Sequence, residues 1–340
     1  MYNPAVKELA DAVMTTGRTF TASAVFSDFT ITEIGDLKIN LGTSKDSHPC
    51  FGSVISAQGE SKIITDETIT KGMQFSLYFN IFDYNIPFGV YKIVSCKKYS
   101  DYTQIEFSDL LANCDREYIS SKSGWIRATE LIDEIADRIG ADTPIWEEFY
   151  LCDSNGDRLI SSDDSYLTAT EIDFDVNINY LSGMTMREIL SQIAAYFGKF
   201  LVIGRYGEIE LKWYDGYEIN VDDEDRFLDE IEKSDWDTRI PGIKCTINDD
   251  EVLAAGGDND DTMEIECRFM TPERFQDLYS KAVNTNYRSA NFKQVLGDPR
   301  IDPWDTFFSG TGSSKQIFYI INATFTFDGG LMLEVEGMEE

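Results

Sequence analysis

Apolar and polar residues alternate in short runs over the first third of the chain. Arg18 to Phe26 alternates as a half-buried strand does. Phe29 to Thr32 and Leu37 to Leu41 repeat the pattern, split by Gly35 and Asp36. Phe75 to Phe82, Phe88 to Val94 and Thr103 to Phe107 follow, the last two as a hairpin around Tyr99 to Tyr102. Many short strands with turn signals predict a barrel or sandwich. Asp109 to Tyr118 leaves that unit.

The period then changes. Leu131, Ile132, Ile135 and Ile139 form one helical stripe, and Ile189, Leu190, Ile193 and Phe197 form another. Both segments, Glu130 to Gly140 and Glu188 to Gly198, read E-[LI]-[IL]-x-x-I-A-x-x-x-G. Duplication and chance likeness of amphipathic helices both account for this repeat. Each glycine suits the left-handed position just past a helix, and Thr185 with Glu188 makes a capping-box signature. A hairpin, Phe200 to Arg205 and Glu208 to Trp213, closes this small α/β unit. Ile240 to Ile247 and Thr262 to Phe269 are strands flanking an acidic loop, Asp249 to Asp261. Thr271, Pro272 and Glu273 start a helix striped by Phe275, Leu278, Tyr279 and Ala282. Gly297, Pro299 and Pro303 exclude a regular helix, so Asp302 to Asp305 reads as a corner. Gly310 to Ser314 is a loop. Gln316 to Phe327 is a strand, turned at Asp328 to Gly330 into a last strand, Leu331 to Val335. Ala5, Val6, Leu9 and Val13 give a short opening helix, and Lys7, Glu8 and Asp11 argue against a signal peptide.

The expected class is therefore α+β, mostly β: two β-barrel-like modules separated by a small α/β insert. The boundaries fall at 1–115 for the first β module, 116–215 for the insert, and 216–340 for the second β module with one helix at about 272–283.

Charge narrows the function. The chain has 61 acidic and 29 basic residues, a net charge of −32, whereas a protein that grips nucleic-acid phosphates is basic. No apolar run is long enough to span a bilayer. Six cysteines, Cys50, Cys96, Cys114, Cys152, Cys245 and Cys267, form no CxxC pair, which points to free thiols and no zinc site. His48 is the single histidine, and a nucleophilic triad could use no other. Asp153 to Asp157 spaces its oxygens like a calcium loop, but Arg158 and Asp164 stand where that loop needs glycine and glutamate. Asp222 to Asp225 and Asp258 to Asp261 are acidic loops, and Arg205 to Glu208 is a hairpin turn. No Gly-rich phosphate loop precedes a helix, and no spacing singles out a carboxylate pair. No catalytic, cofactor-binding or metal-binding residue and no cofactor is expected from this sequence.

Four segments, in this order, resemble the baseplate hub (tail-associated) proteins of bacteriophage tails and tail-like particles. They are Thr16 to Phe20 with Phe29 to Thr32; Pro87 to Ile93 with Glu106 to Tyr118; Met184 to Ala194 with the Phe200 to Trp213 hairpin; and Gly297 to Asp305 before Phe318. The last is similar to a G-x-P-x-I-x-P-G-D segment, with Trp304 in place of the second glycine. The resemblance implies a non-enzymatic homotrimer whose paired β modules make a pseudo-six-fold ring. Such a ring joins a six-fold distal tail protein or tail tube to a three-fold tip, spike or fibre protein. DNA passes through its channel without tight binding. It also implies a place in the virion tail after assembly in the bacterial host cytoplasm. Ending at Glu340, the chain is expected to lack a wall-hydrolase or fibre extension. The alternatives are a carbohydrate- or receptor-binding tip protein using Trp125, Trp146, Trp213 and Trp236, and a peptidoglycan hydrolase.

Overall fold

The computed structural model describes residues 20–339 apart from 45–47, 82–83, 121, 144–147, 151–167, 171–173, 215, 217, 221–231, 249, 260, 284–285, 295–296 and 310–314. The opening helix, the calcium-like segment, Asp222 to Asp225 and the loop 310–314 thus lie outside the described residues.

The first part runs β1 (Thr21–Val25), β2 (Thr30–Ile31), β3 (Ile34–Gly42), β4 (Gln58–Ile63), β5 (Gln74–Ile81), β6 (Tyr84–Lys98) and β7 (Thr103–Asp109). A 3-10 turn, Leu110–Asp115, then leads out. The insert holds β8 (Trp125–Arg127), α1 (Ala128–Ile139), β9 (Glu148–Tyr150), β10 (Thr168–Thr170), β11 (Asp175–Asn177), α2 (Met186–Phe197), β12 (Phe200–Ile203) and β13 (Ile209–Lys212). The last part comprises β14 (Glu218–Asn220), β15 (Glu232–Arg239), β16 (Gly242–Asn248), β17 (Glu251–Gly256), β18 (Met263–Glu266), α3 (Pro272–Ala282), β19 (Asn286–Gln294), β20 (Thr306–Ser309), β21 (Gln316–Phe327) and β22 (Leu331–Glu339). The class is α+β and mostly β.

Strands from both ends of the chain share one sheet, ordered β15-β19-β22-β21-β3-β4-β7-β6-β5-β1-β2. The seam is β21 against β3, where Asn322 to Phe327 pairs antiparallel with Gly42 to Leu37. The sheet rolls back on itself: Phe325 meets Phe88 with ring centroids 4.8 Å apart, and Phe327 meets Phe79 at 5.8 Å. Yet among the described residues its ladder is open, with β2 and β15 at the two ends, and they form no closed barrel. The seam follows from alternation. Along β21 the residues Phe318, Ile320, Ala323, Phe325 and Phe327 are buried, and Phe325 and Phe327 stand opposite the buried Ile39 and Leu37 of β3.

Two local readings need correcting. Gly35 and Asp36 do not split a strand. β3 runs through them over a bulge, with Asp36 at φ 46°, since a short polar side chain tolerates the left-handed region. The acidic loop 249–261 is also not all loop, because β17 lies within it and pairs antiparallel with β16.

The insert builds its own core. Leu131, Ile132, Ile135 and Ile139 of α1 and Ile189, Leu190 and Ile193 of α2 are all buried there. Gly140 and Gly198 end the helices at φ 79° and 60°, and the Thr185–Glu188 capping box is formed. A third core packs α3 on β16 and β17, reaches β18, and takes in Phe51, Ala195, Phe200 and Tyr214. The three parts are thereby fastened to one another.

Candidate functional site: the junction of the three parts

Four basic side chains tie the insert to its neighbours. Arg205, in the turn between β12 and β13, is the most connected. Its Nε donates to Asp302 Oδ1 at 2.9 Å, and its Nη1 donates to the carbonyls of Pro87 at 2.9 Å and Pro299 at 2.6 Å. Its Nη2 reaches Asp302 Oδ1 at 2.8 Å and the Ile301 carbonyl at 3.3 Å. One guanidinium thus joins β6, the insert hairpin and the late corner. The fixed fork of five donors makes this possible; a lysine has no such geometry.

Arg187, in the first turn of α2, plays the same part on the other side. Nη1 donates to the Val54 carbonyl at 2.5 Å, and Nη2 donates to Ser56 Oγ at 3.0 Å and to the Leu111 carbonyl at 2.7 Å. Its Nε donates to Asp115 Oδ1 at 2.6 Å. At the far end of α2 the last carbonyls lack intrahelical partners. Arg274 and Lys281 of α3 supply them, donating to Tyr196 O at 2.6 Å and Gly198 O at 2.8 Å. Lys281 Nζ also stands 4.3 Å from the Trp213 ring centroid.

A cavity of about 40 Å³ lies at the junction, lined among others by Tyr91, Asp109, Arg205, Asp302 and Trp304. That is room for roughly three waters, far below the volume of a nucleotide or sugar site. Asp109 is buried beside it, and its carboxylate accepts from Ala57 N at 2.8 Å and Leu111 N at 3.1 Å. Burial pushes its carboxyl up to about 7, against the pull of those two backbone N–H groups and of Arg187. Burial likewise raises the Tyr91 phenol and lifts the Cys114 thiol to about 12.

The residues weighed in the sequence do not converge. His48 is half-buried, its Nδ1 3.2 Å from the Pro49 carbonyl, and Cys50 is buried with its thiol toward the Phe51 carbonyl. Beside Asp258, Asp261 N donates to Asn259 Oδ1 at 3.0 Å. Among the described residues no group of three or more metal-ligating side chains forms. Trp213 is not available for stacking on a sugar, because it packs against Phe51 at 4.8 Å under Lys281. Trp125 is 66% exposed. The residue at 146 and the side chain at 236 lie outside the described set. The sequence reading missed Arg205 and Arg187 as junction residues. The signals available were an arginine beside glycine in a tight turn and an arginine in a helix's first turn, where the dipole disfavours a cation.

The Asp302–Asp305 corner carries the Trp304 substitution. Asp305 N donates to the Asp302 carbonyl at 3.0 Å, and Asp305 Oδ2 accepts from Asp302 N at 2.8 Å. The turn therefore closes without glycine.

No family model and no curated protein matches the chain. Solved structures do. The tail protein from Neisseria meningitidis MC58 matches with TM-score 0.60 at 10% identity, over 95% of this chain and 97% of that one. The 43 kDa tail protein of prophage MuSo2 from Shewanella oneidensis matches with TM-score 0.55 at 13% identity, over 94% and 96%. This chain has the fold of phage tail proteins. The E. coli c3393 protein, a component of the type VI secretion system similar to the T4 bacteriophage tail proteins gp27 and gp5, has TM-score 0.50 at 7% identity, over 92% and 76%. Within this tail-protein fold, the Arg205 and Arg187 nodes hold the insert against the rolled sheet.

Proposed function

We propose that this chain is a structural hub of a phage tail or tail-like particle, a non-enzymatic trimeric adaptor between the tail tube and the tip. The observation that carries it is the tail-protein fold over nearly the whole chain, at TM-score 0.60 with one such protein. The division into 1–115, 116–215 and 216–340 belongs to this proposal, with the first and last parts serving as the paired wall elements of the ring. Charge supports a channel role: three copies at −32 each carry −96, and acids along a wall deny DNA phosphates a counter-charge. Partners are a distal tail or tube ring on one side and a tip, spike or fibre protein on the other. The test is mass in solution by sedimentation, with the three-chain species expected. A monomer at every protein and salt concentration would sink the trimer, and a basic inner wall in a solved ring would sink the channel role.

A further inference from the structure

We propose that the outer edge of β17 is a docking site for an extended, basic-flanked strand of another protein, which adds to the β17-β16-β18 sheet. This goes beyond the hub reading and does not depend on the trimer.

An exposed edge presents unpaired N–H and C=O groups, and folded proteins blunt it with charges, bulges, short strands or a covering element. Three other sheet edges among the described residues follow that rule. β2 is two residues long. β15 has the charged sequence Glu-Lys-Ser-Asp-Trp-Asp-Thr-Arg and a bulge between Lys233 and Asp237. β18 is covered by α2, where Arg268 N donates to Gln192 Oε1 at 3.1 Å and the Cys267 thiol donates to Gln192 O at 3.3 Å.

β17 breaks the rule. Val252, Leu253, Ala254 and Ala255 are uncharged, and Val252 is 46% exposed. Among the described residues only β16 pairs with it. Its bonding direction follows from the ladder. Gly257 N donates to Pro241 O at 2.8 Å, and the register pairs Ala255 with Ile243 and Leu253 with Cys245. Antiparallel pairs alternate between bonded and non-bonded, so Leu253 and Ala255 bond inward to β16. Val252 and Ala254 therefore aim their N–H and C=O groups at the open side, up to Gly256, where φ of 86° ends the regular alternation. The small side chain at Ala254 lets a second backbone approach. Strand addition of this kind takes affinity from the main chain and specificity from alternate side chains.

Charge selects the occupant. Asp250 and Glu251 stand at one end of the strand, Asp258 and Asp261 beyond the other, all outside any lysine or arginine bridge among the described residues. A segment with lysine or arginine at both ends complements them. A second copy would bring −32 of like charge to the same rim.

The experiment uses the full chain and a fluorescent synthetic peptide of alternating threonine and valine with lysines at both ends. Binding is read by anisotropy, and site-resolved amide exchange reports the edge. The expected result is saturable binding with slowed exchange at Val252 and Ala254. Ala254→Pro removes an outward N–H without breaking a bond to β16, so it should weaken binding at least about tenfold, or 1.4 kcal/mol, with thermal unfolding unchanged. If Ala254→Pro fails to fold, the exchange pattern of the natural chain still decides. No binding, no protection at these two amides, or full binding by a folded Ala254→Pro chain would overturn the proposal. Protection that grows with protein concentration in the absence of peptide would identify a second copy as the occupant and also overturn it.

Discussion

Arg205 and Asp302 are half of a bargain that neither can leave alone. Their side chains are only 17% and 20% exposed, and removing one member of a buried pair strands the other charge. Arg205→Ala should cost about 3–5 kcal/mol in urea unfolding. Arg205→Lys should recover little, because one ammonium cannot serve Asp302 and three carbonyls together. Adding Asp302→Asn to Arg205→Ala should restore part of the loss; strict additivity of the two changes would show that the pair is not coupled. Asp109 gives a pH dependence. Its folded value of about 7 lies above the ordinary 3.8, so the folded state binds the extra proton. Stability from this group is complete below about pH 4 and is lost as pH rises through about 7. Asp109→Asn removes the titration and keeps one acceptor oxygen. The stability difference between Asp109→Asn and the natural chain should shift in the variant's favour by about 2 kcal/mol between pH 5 and pH 8. A flat difference across that range would count against this account.

At the scale of elements, α2 is the best specified. Its Thr185 Oγ1 accepts from Glu188 N at 3.2 Å, and Glu188 Oε2 accepts from Thr185 N at 2.6 Å. Thr185→Ala should cost about 1 kcal/mol by denaturant midpoint, since Glu188 N loses its acceptor, while the bond from the residue-185 backbone N–H to Glu188 Oε2 needs no hydroxyl. Helices of this kind were legible in the sequence because a stripe, a cap and a terminal glycine are all local signals. The strands with strong alternation, β5, β6, β7 and β21, were legible for the same reason. Other strands were not. β4 reads Gln-Gly-Glu-Ser-Lys-Ile and β19 reads Asn-Tyr-Arg-Ser-Ala-Asn-Phe-Lys-Gln, patterns that become strands through their neighbours on both sides. β17 was hidden inside an acidic run, and β15 carries five charges in eight residues. The junction was the least legible feature. It brings together Pro87, Arg205 and Asp302, which no local window contains.

For the whole molecule, the charge of −32 makes association depend on salt. If three chains form a ring, added salt screens their mutual repulsion, so the trimer fraction should rise from low to moderate ionic strength in sedimentation. A trimer that dissociates on adding salt would mean that opposite charges, and not apolar contact, hold it together. The β3–β21 seam has a further consequence, in time. Asn322 pairs with Gly42, a separation of 280 residues (322 − 42). At roughly 5–20 residues per second, a ribosome takes on the order of 15–60 s to deliver the partner after β3 has emerged. Until then the nascent chain holds half of its sheet finished at β4 and bare at β3. Every prematurely terminated product keeps that bare strand for life.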